Sequence, residues 1–317
     1  MSSTSPVPTR LPLPQALAGG TVVIIGGSSG IGLAAGQLLH AIGARVVLVG
    51  RNPDRLAAAT EKVRAATETL AFSNAGESSS TAAQLSNERT IGVPAYEPAD
   101  NTAARGRGVG AGADQGGVGV AALERVIGVA ADGGDEGRLG SIFDQVGSVD
   151  HVLVTAGSYG GGPLGETPRS AVEDAVNARL WGAYAAARVA AEHLPPGGSL
   201  TLSSGAYLTR PVPGAAAGIA SIGAVEGLTR ALAVEFAPRR LRVNTVRYGI
   251  FDTPLSRGAI GQGAGAEGDE AVRKAGATLP LGRFGTPEEA ASAALFLMAN
   301  NYVTGTALTI DGGHALG

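Results

Sequence analysis

The 317-residue sequence contains no cysteine and has only a small net charge. Without cysteine there can be no disulfide framework, thiolate nucleophile or thiolate metal site. The four histidines, at positions 40, 151, 193 and 314, are not spaced as ligands, so we expect no metal site. A formal net charge of −3 provides no basic surface, so neither nucleic acid nor an anionic membrane is an expected partner.

Long apolar runs are also missing. No uncharged apolar stretch reaches the roughly 18 residues that a membrane span needs, and residues 1–20 lack the apolar core of a signal peptide. We therefore expect a cytoplasmic protein in which residues 1–20 form a tail. With 44% hydrophobic and 16% charged residues, the remaining 21–317 can form one domain with a sizeable core.

Glycine, in contrast, is abundant, with 50 residues, and seven of them lie close together between 106 and 119. From about 71 to 122 the chain is rich in Gly, Ala, Ser, Asn and Thr and has neither helical nor strand periodicity. We interpret it as a disordered insertion in a surface loop, because doubling a loop's length costs only about 0.6 kcal/mol. A segment that binds a partner is the alternative.

Strands and helices are predicted to alternate along the rest of the chain. TVVII at 21–25 and RVVLVG at 45–50 are typical of buried strands, and helical patterns follow each of them, the second at 53–70. The later predicted strands are RVIGVAAD, HVLVTAG, SLTLSS, LRVNTV and ALTIDGG, and the later predicted helices include 170–193. This alternation predicts an α/β fold with a parallel sheet covered on both faces.

The loop GGSSGIG between the first strand and helix indicates a dinucleotide site. Gly26 and Gly30 let the backbone approach a pyrophosphate, Gly32 lets the helix pack close to the strand, and the helix N-terminus attracts the anion. The other loop residues expected to contact the cofactor are Ser28, Ser29 and Ile31. A purely structural turn is the alternative.

Arg51 follows the second strand, where an acidic residue normally binds the ribose of NAD(H). A guanidinium there can pair with a 2′-phosphate, which favours NADP(H) over NAD(H); a solvated surface arginine is the alternative. Asp132, at the end of the third predicted strand, could accept a hydrogen bond from the adenine amine or could cap a helix.

Several segments together resemble the short-chain dehydrogenase/reductase family. They are GGSSGIG, VTAG at 154–157, Asn177, TLSS ending at Ser204, GAVEGLTRALAVEFAP, RVNTV, DTP at 252–254 and VTGTALTIDGG. The resemblance spans the chain except for the tail and the insertion. It implies a Rossmann-type doubly wound parallel sheet in a single domain, which binds NAD(P)(H) and moves hydride between nicotinamide and a carbonyl or alcohol. It also implies cofactor contacts at Ala156, Gly157, Ile250 and Thr253.

The catalytic residues implied by this resemblance are only partly present. The family uses Asn, Ser, Tyr and Lys; Asn177 and Ser204 match the first two, whereas Gly218 and Ile222 stand where Tyr and Lys are expected. Neither replacement can pass a proton, a function usually worth about 10²–10⁴ in rate. The tyrosines that could replace the missing acid are Tyr207, Tyr248 in the Arg-Tyr-Gly stretch that replaces the family's SPG, and Tyr159; packing is the alternative role for each.

Three functions therefore stay open at this point. The first is an NADP(H)-dependent oxidoreductase acting on a small-molecule carbonyl, imine or alcohol with a non-standard proton donor. The second is a non-redox cyclase or isomerase on the same fold, and the third is a catalytically silent NADP(H)-binding protein. The C-terminal VTGTALTIDGG resembles segments that pack across a two-fold axis in the family, so we expect a homodimer or homotetramer.

Overall fold

The computed structural model describes residues 15–77, 124–157 and 162–316, and its centre is one seven-stranded parallel sheet. The strands are β1 (Thr21–Ile25), β2 (Arg45–Gly50), β3 (Val126–Ala130), β4 (His151–Val154), β5 (Ser199–Gly205), β6 (Arg242–Tyr248) and β7 (Ala307–Ile310). Their order across the sheet is β3-β2-β1-β4-β5-β6-β7 and every pairing is parallel. The predicted α/β class and doubly wound parallel sheet are confirmed.

Helices cover both faces of the sheet. They are α1 (Gly30–Ala41), α2 (Pro53–Glu77), α3 (Glu136–Val146), α4 (Arg169–Val176), α5 (Gly182–His193), α6 (Ala216–Phe236), α7 (Pro254–Ala259), α8 (Ala266–Gly276) and α9 (Pro287–Ala299). In β1, Val22 and Ile24 face the core formed with α1, α2 and α9, while Val23 and Ile25 face the core formed with α3, α5 and α6. Because both faces are buried, the strand is apolar throughout rather than alternating.

The strand order reverses between β1 and β4. In open parallel sheets, ligands bind in the crevice outside the carboxyl ends of the strands at this switch point. The loops that follow β1, β4, β5 and β6 therefore meet at one edge of the sheet, where the glycine loop follows β1 and where Ser204 and Tyr248 lie at the ends of β5 and β6.

The structure changes two boundaries predicted for the domain. Leu17 lies in a short 3₁₀ turn (Gln15–Leu17) and is buried, so the end of the predicted tail belongs to the domain. α2 continues to Glu77, so the first residues of the predicted insertion are helical. Residues 1–14 and 78–123, which include most of the tail and of the insertion, lie outside the described residues.

Two other segments differ from the predicted pattern. The long helix predicted over 170–193 is divided into α4 and α5 by a π-helical turn, Asn177–Trp181. The segment from 251 to 278, for which no helix was predicted, contains the short helices α7 and α8. Both departures occur beside the carboxyl edge of the sheet.

α6 with its 3₁₀ extension, Ala216–Arg239, is long and apolar enough to cross a membrane by length and composition alone. It packs against β5 and β6 and buries Val225, Leu232 and Phe236 in the core shared with α3 and α5. The core helices of globular proteins have the same length and composition.

Candidate active site

The glycine loop has the geometry that close approach to a pyrophosphate requires. Gly26 has φ +96°, and a Cβ there would lie 2.5 Å from the backbone nitrogen of Ala156. A Cβ on Gly32 would collide with the carbonyl oxygen of Gly26, so α1 can pack against this loop only with glycine at that position. Neither Gly26 nor Gly32 has room for a side chain, and the close backbone approach at these positions fits a dinucleotide.

The N-terminus of α1 faces the same loop. Its N-cap residue, Ser29, is extended and makes no side-chain hydrogen bond to the helix. Backbone N–H groups of the first turn are therefore not capped by the chain and, with the helix dipole, can bind an anion. Gly30 has φ +51°, and a Cβ there would touch Thr253, which follows β6 and caps α7 by accepting from Ser256 N at 3.3 Å.

The end of β2 lies beside the glycine loop. A Cβ on Gly50 would lie 3.2 Å from Ser28 Oγ, and the next residue, Arg51, is exposed. Asp132 is also exposed and accepts a hydrogen bond from Gly134 N at 2.9 Å. The alternative that Asp132 caps a helix is wrong, because Asp135 is the residue that caps α3.

A cavity of about 350 Å³ opens at the carboxyl ends of β5 and β6. Ile31 and Thr253 line it next to the glycine loop, and Gly157 and Ile250 also line it. Most of the opposite wall is apolar and is formed by Ile219, Ile222, Phe251, Leu255, Leu279 and Phe284. The glycine loop and this cavity are therefore continuous.

Gly218 and Ile222, at the positions where the resemblance expects Tyr and Lys, both lie on the cavity wall. On the facing strand, a Cβ on Gly205 would lie 3.5 Å from Ile222 Cδ1. This part of the wall is apolar on both sides. Proton transfer in the cavity must therefore involve side chains from other elements.

Ser204, at the end of β5, is buried and donates a hydrogen bond to Glu226 Oε1 at 2.7 Å. Arg247 of β6 binds the same carboxylate with two hydrogen bonds, from Nε to Oε1 at 2.9 Å and from Nη2 to Oε2 at 2.7 Å. Burial by itself would raise the pKa of Glu226, but the hydrogen bonds from Arg247 and Ser204 outweigh it and lower that pKa. The carboxylate is therefore ionised, and it fixes Ser204 at the cavity edge.

Asn177 is not placed in the cavity. Its side chain is exposed at the start of the π-helical turn, whereas Arg179, two residues later, lines the cavity. Residues two positions apart lie on nearly opposite sides of a helix, so Asn177 and Arg179 cannot both face the cavity. Arg179 approaches Gly157, where a Cβ would lie 3.1 Å from its Cζ, and burial lowers the pKa of its guanidinium.

The sequence did contain a signal for Arg179. Buried positions recur along α4 and α5 at Ala175, Ala183, Ala186 and Ala190, and Arg179 lies on this stripe while Asn177 does not. Asn177 stays a prediction, and Arg179 is the residue of this turn that lines the cavity.

Tyr248 and Tyr207 both line the cavity. The ring of Tyr248 packs edge-on against Phe251, with centroids 5.9 Å apart, and burial raises the pKa of its hydroxyl. Tyr207 lies on a 3₁₀ turn after β5, and its ring packs edge-on against His314, with centroids 6.0 Å apart. The third tyrosine considered, Tyr159, lies outside the described residues.

His314 is a cavity residue that the sequence analysis did not find. It lies in the 3₁₀ turn His314–Leu316, far from the other site residues in sequence, and its ring is buried beside Tyr207. Arg210 donates a hydrogen bond from Nη1 to the His314 carbonyl at 2.7 Å. No local sequence signal marks this histidine, because only the tertiary fold brings it to the end of β5.

The segment after β6 forms the outer wall of the cavity. Arg257 on α7 donates hydrogen bonds from Nε and Nη2 to the two carboxylate oxygens of Asp252, at 2.6 and 2.8 Å. It also pairs with Asp269 of α8 at 2.8 Å. These hydrogen bonds and charges raise the pKa of Arg257. One guanidinium therefore ties α7 and α8 to the loop that follows β6.

Comparison with known sequences identifies the class of protein that this fold and cavity define. The family model described as enoyl-(acyl carrier protein) reductase matches residues 117–315, well over half of the chain, and the short chain dehydrogenase model matches residues 20–87. The chain belongs to the short-chain dehydrogenase/reductase family.

Its relatives include fungal members of this family. The chain is 28% identical to the short-chain dehydrogenase/reductase ATR9 of Stachybotrys chlorohalonatus over 93% of its length and 96% of that protein's. It is 29% identical to malC of Malbranchea aurantiaca, with coverage of 95% and 96%. The solved structure of MalC reductase/Diels-Alderase superposes with a TM-score of 0.69 at 25% identity, covering 96% of this chain and 99% of that one.

Proposed function

We propose that the protein is an NADP(H)-dependent oxidoreductase that interconverts a carbonyl or imine with the corresponding alcohol or amine of a small organic substrate. One observation carries the proposal. A single cavity is lined by Ile31 of the glycine loop, by Thr253 of the loop after β6, and by Tyr207 and Tyr248. Family membership supports oxidoreductase chemistry and a nicotinamide cofactor.

The cofactor, when bound, supplies or accepts the hydride. In our proposal the glycine loop and the α1 N-terminus hold its pyrophosphate, and the loop 250–253 closes over its nicotinamide end. Arg51 pairs with the 2′-phosphate, because it is exposed directly after β2 where no carboxylate occupies the ribose position.

Tyr207 is the proposed proton donor. It is half-buried on the cavity wall, whereas burial raises the pKa of the Tyr248 hydroxyl, which makes Tyr248 the weaker acid of the two. Tyr207 has no lysine to assist it, since the sequence contains none between Lys62 and Lys274. We therefore expect substrates whose carbonyl or imine carbon accepts hydride readily.

The test is NADPH consumption by the purified protein with a panel of cyclic ketones and cyclic imines. Tyr207→Phe should lower kcat roughly 10²- to 10⁴-fold if Tyr207 is the general acid. Tyr302→Phe is the matched control, because Tyr302 is 98% exposed and far from the carboxyl edge. A Tyr207→Phe variant as fast as wild type would refute the assignment of the acid.

A second outcome concerns the reaction class itself. If the wild-type protein binds NADPH but consumes it with no member of the panel, the oxidoreductase proposal is contradicted. The cofactor would then serve a non-redox cyclase or isomerase, or a silent NADP(H)-binding protein. Product analysis of a cyclisable polyene substrate with and without cofactor would separate these two.

A further inference from the structure

Arg179 places a positive charge on the wall of a mainly apolar cavity. It belongs to the π-helical turn Asn177–Trp181 and is half-buried. Among the described lining residues it is the one arginine, and none of them is a lysine, an aspartate or a glutamate. The described wall therefore has a fixed positive charge and no fixed negative charge, which favours an anionic ligand.

The guanidinium of Arg179 lies near the carboxyl end of β4. A Cβ on Gly157, three residues after that strand, would lie 3.1 Å from both Cζ and Nη1 of Arg179, so glycine leaves the space that the guanidinium occupies. Burial lowers the pKa of this guanidinium, but arginine keeps its proton in folded proteins, so the charge remains. A partly buried cation is stabilised when an anion binds to it.

Four hydroxyl groups of the cavity wall already donate their hydrogen within the chain. The bonds are Thr155 Oγ1 to Gly26 O at 3.2 Å, Ser203 Oγ to Val154 O at 2.6 Å, Ser204 Oγ to Glu226 Oε1 at 2.7 Å and Thr278 Oγ1 to Ala275 O at 2.7 Å. A hydroxyl has one hydrogen, so these four groups offer only lone pairs to a ligand. An oxygen atom of the ligand must therefore find its donor elsewhere on the wall.

Arg179 is the strongest donor that the described side chains of the wall provide for such an oxygen. A guanidinium has five N–H donors in a rigid fork that matches the two oxygens of a carboxylate. The body of the ligand must be apolar, because the segment after β6 lines the cavity with Leu255, Ile260 and Leu279.

We propose that the substrate is an apolar carbonyl compound that also bears a carboxylate, and that the guanidinium of Arg179 binds this carboxylate. The inference rests on the proposed function, because it treats the cavity as the substrate site. It adds the substrate class and one specificity-determining residue. Arg179 selects the substrate by charge, while the apolar wall holds the rest of the molecule.

The first test needs only the wild-type protein and two matched probes. They are 4-phenyl-2-oxobutanoate, an apolar keto acid, and its methyl ester, which keeps the ketone but not the charge. Each is titrated by calorimetry into the protein saturated with NADP⁺. The acid should bind roughly 10- to 150-fold more tightly than the ester, the range expected for a hydrogen bond to a charged group. Equal affinities, or binding of neither probe, would overturn the inference.

The second test assigns this preference to Arg179. Arg179→Met removes the charge and should bring the affinity for the acid down to that for the ester. Arg179→Lys keeps the charge but not the fork, and should retain part of the preference. Arg169→Met is the matched control and should behave as wild type, because Arg169 on α4 has 91% of its side chain exposed and does not line the cavity. A preference for the acid that survives in Arg179→Met would contradict the assignment.

Two other roles of Arg179 predict different results. If the guanidinium serves the cofactor, Arg179→Met weakens NADPH binding, measured by its fluorescence, and leaves the ratio of acid to ester affinity as in wild type. If its role is only structural, the variant unfolds at a lower temperature and loses affinity for both probes alike. Either pattern overturns the inference. Should Arg179→Met fail to fold, the ratio in Arg179→Lys decides, since an unchanged ratio rules out the fork.

These outcomes are separate from failure of the proposed function. A preference for the acid that depends on Arg179, in a protein that consumes no NADPH, would support the recognition site and contradict the oxidoreductase. NADPH consumption with neutral ketones at the same rate in wild type and Arg179→Met, without preference for the acid, would do the reverse.

Discussion

The buried ion pair between Glu226 and Arg247 gives the most direct test of how this site is held together. Glu226 has 3% of its side chain exposed and Arg247 has 18%, so the carboxylate has much less access to water than its partner. Removing the arginine therefore strands a buried charge, whereas removing the carboxylate charge leaves a guanidinium that can still reach solvent. The variant that loses the arginine should therefore lose more stability than the variant that loses the carboxylate charge.

Arg247→Met keeps most of the side-chain volume but leaves the carboxylate unpaired, and breaking a buried pair in this way costs about 3–5 kcal/mol. Glu226→Gln keeps an oxygen for the Ser204 hydroxyl and should cost less, about 1–3 kcal/mol. The double variant should be less destabilised than the sum of the two, because neither charge is then stranded. Urea unfolding followed by circular dichroism measures all four proteins.

The pH dependence supplies an independent check. Because the pKa of Glu226 is lower in the folded protein than the ordinary 4.5, its stabilising contribution is complete above pH 4.5. That contribution is lost as the pH falls through the lowered value. The Glu226→Gln variant should not show this loss of stability at low pH. Two results would refute the reasoning. One is a double variant whose loss of unfolding free energy equals the sum of the losses in the single variants; the other is the same loss of stability at low pH in wild type and in Glu226→Gln.

Four further predictions follow from the cofactor loop, the insertion and the sheet edge. Gly32→Ala should abolish NADPH binding or lower stability by about 1–3 kcal/mol, since its Cβ would collide with the Gly26 carbonyl; unchanged binding and stability would contradict this packing. Arg51→Ala should weaken NADPH roughly tenfold or more and leave NADH unaffected in fluorescence titrations, and equal losses would rule out the 2′-phosphate contact. Replacing residues 78–122 by a short Gly-Ser linker should leave NADPH affinity unchanged, because the connection from α2 to β3 is opposite the carboxyl edge; loss of binding would show that the insertion contributes to the site. Sedimentation should give a homodimer or homotetramer that Phe296→Glu, at a 40% exposed position on α9, shifts toward monomer; a monomeric wild type would contradict the family expectation.

The parts of the fold that follow from local pattern could be predicted from the sequence. Apolar runs gave β1 and β2, and the glycine loop between β1 and α1 has positive φ angles at Gly26 and Gly30. Segments with little apolar periodicity were missed. α7 is only six residues long and α8 is rich in glycine, alanine and charge, and residues of both helices line the cavity.

Single residues of the candidate site could be predicted from the sequence, but their partners in the structure could not. Tyr207, Tyr248 and Ser204 do line the cavity, but two of the partners that determine their chemistry come from distant segments: Glu226 for Ser204 and His314 for Tyr207. Such pairs depend on tertiary contacts, which residue spacing in a single sequence does not encode.

The ion pairs of Arg257 have a consequence for turnover. Substrate entry past α7 and α8 would separate Arg257 from Asp252 or Asp269, and Asp269 is the more exposed of the two acids. Exposed ion pairs weaken as dissolved ions screen them. The outer wall should therefore open more often in concentrated salt. Higher ionic strength should speed substrate entry and product release and leave the rate of the buried chemical step unchanged.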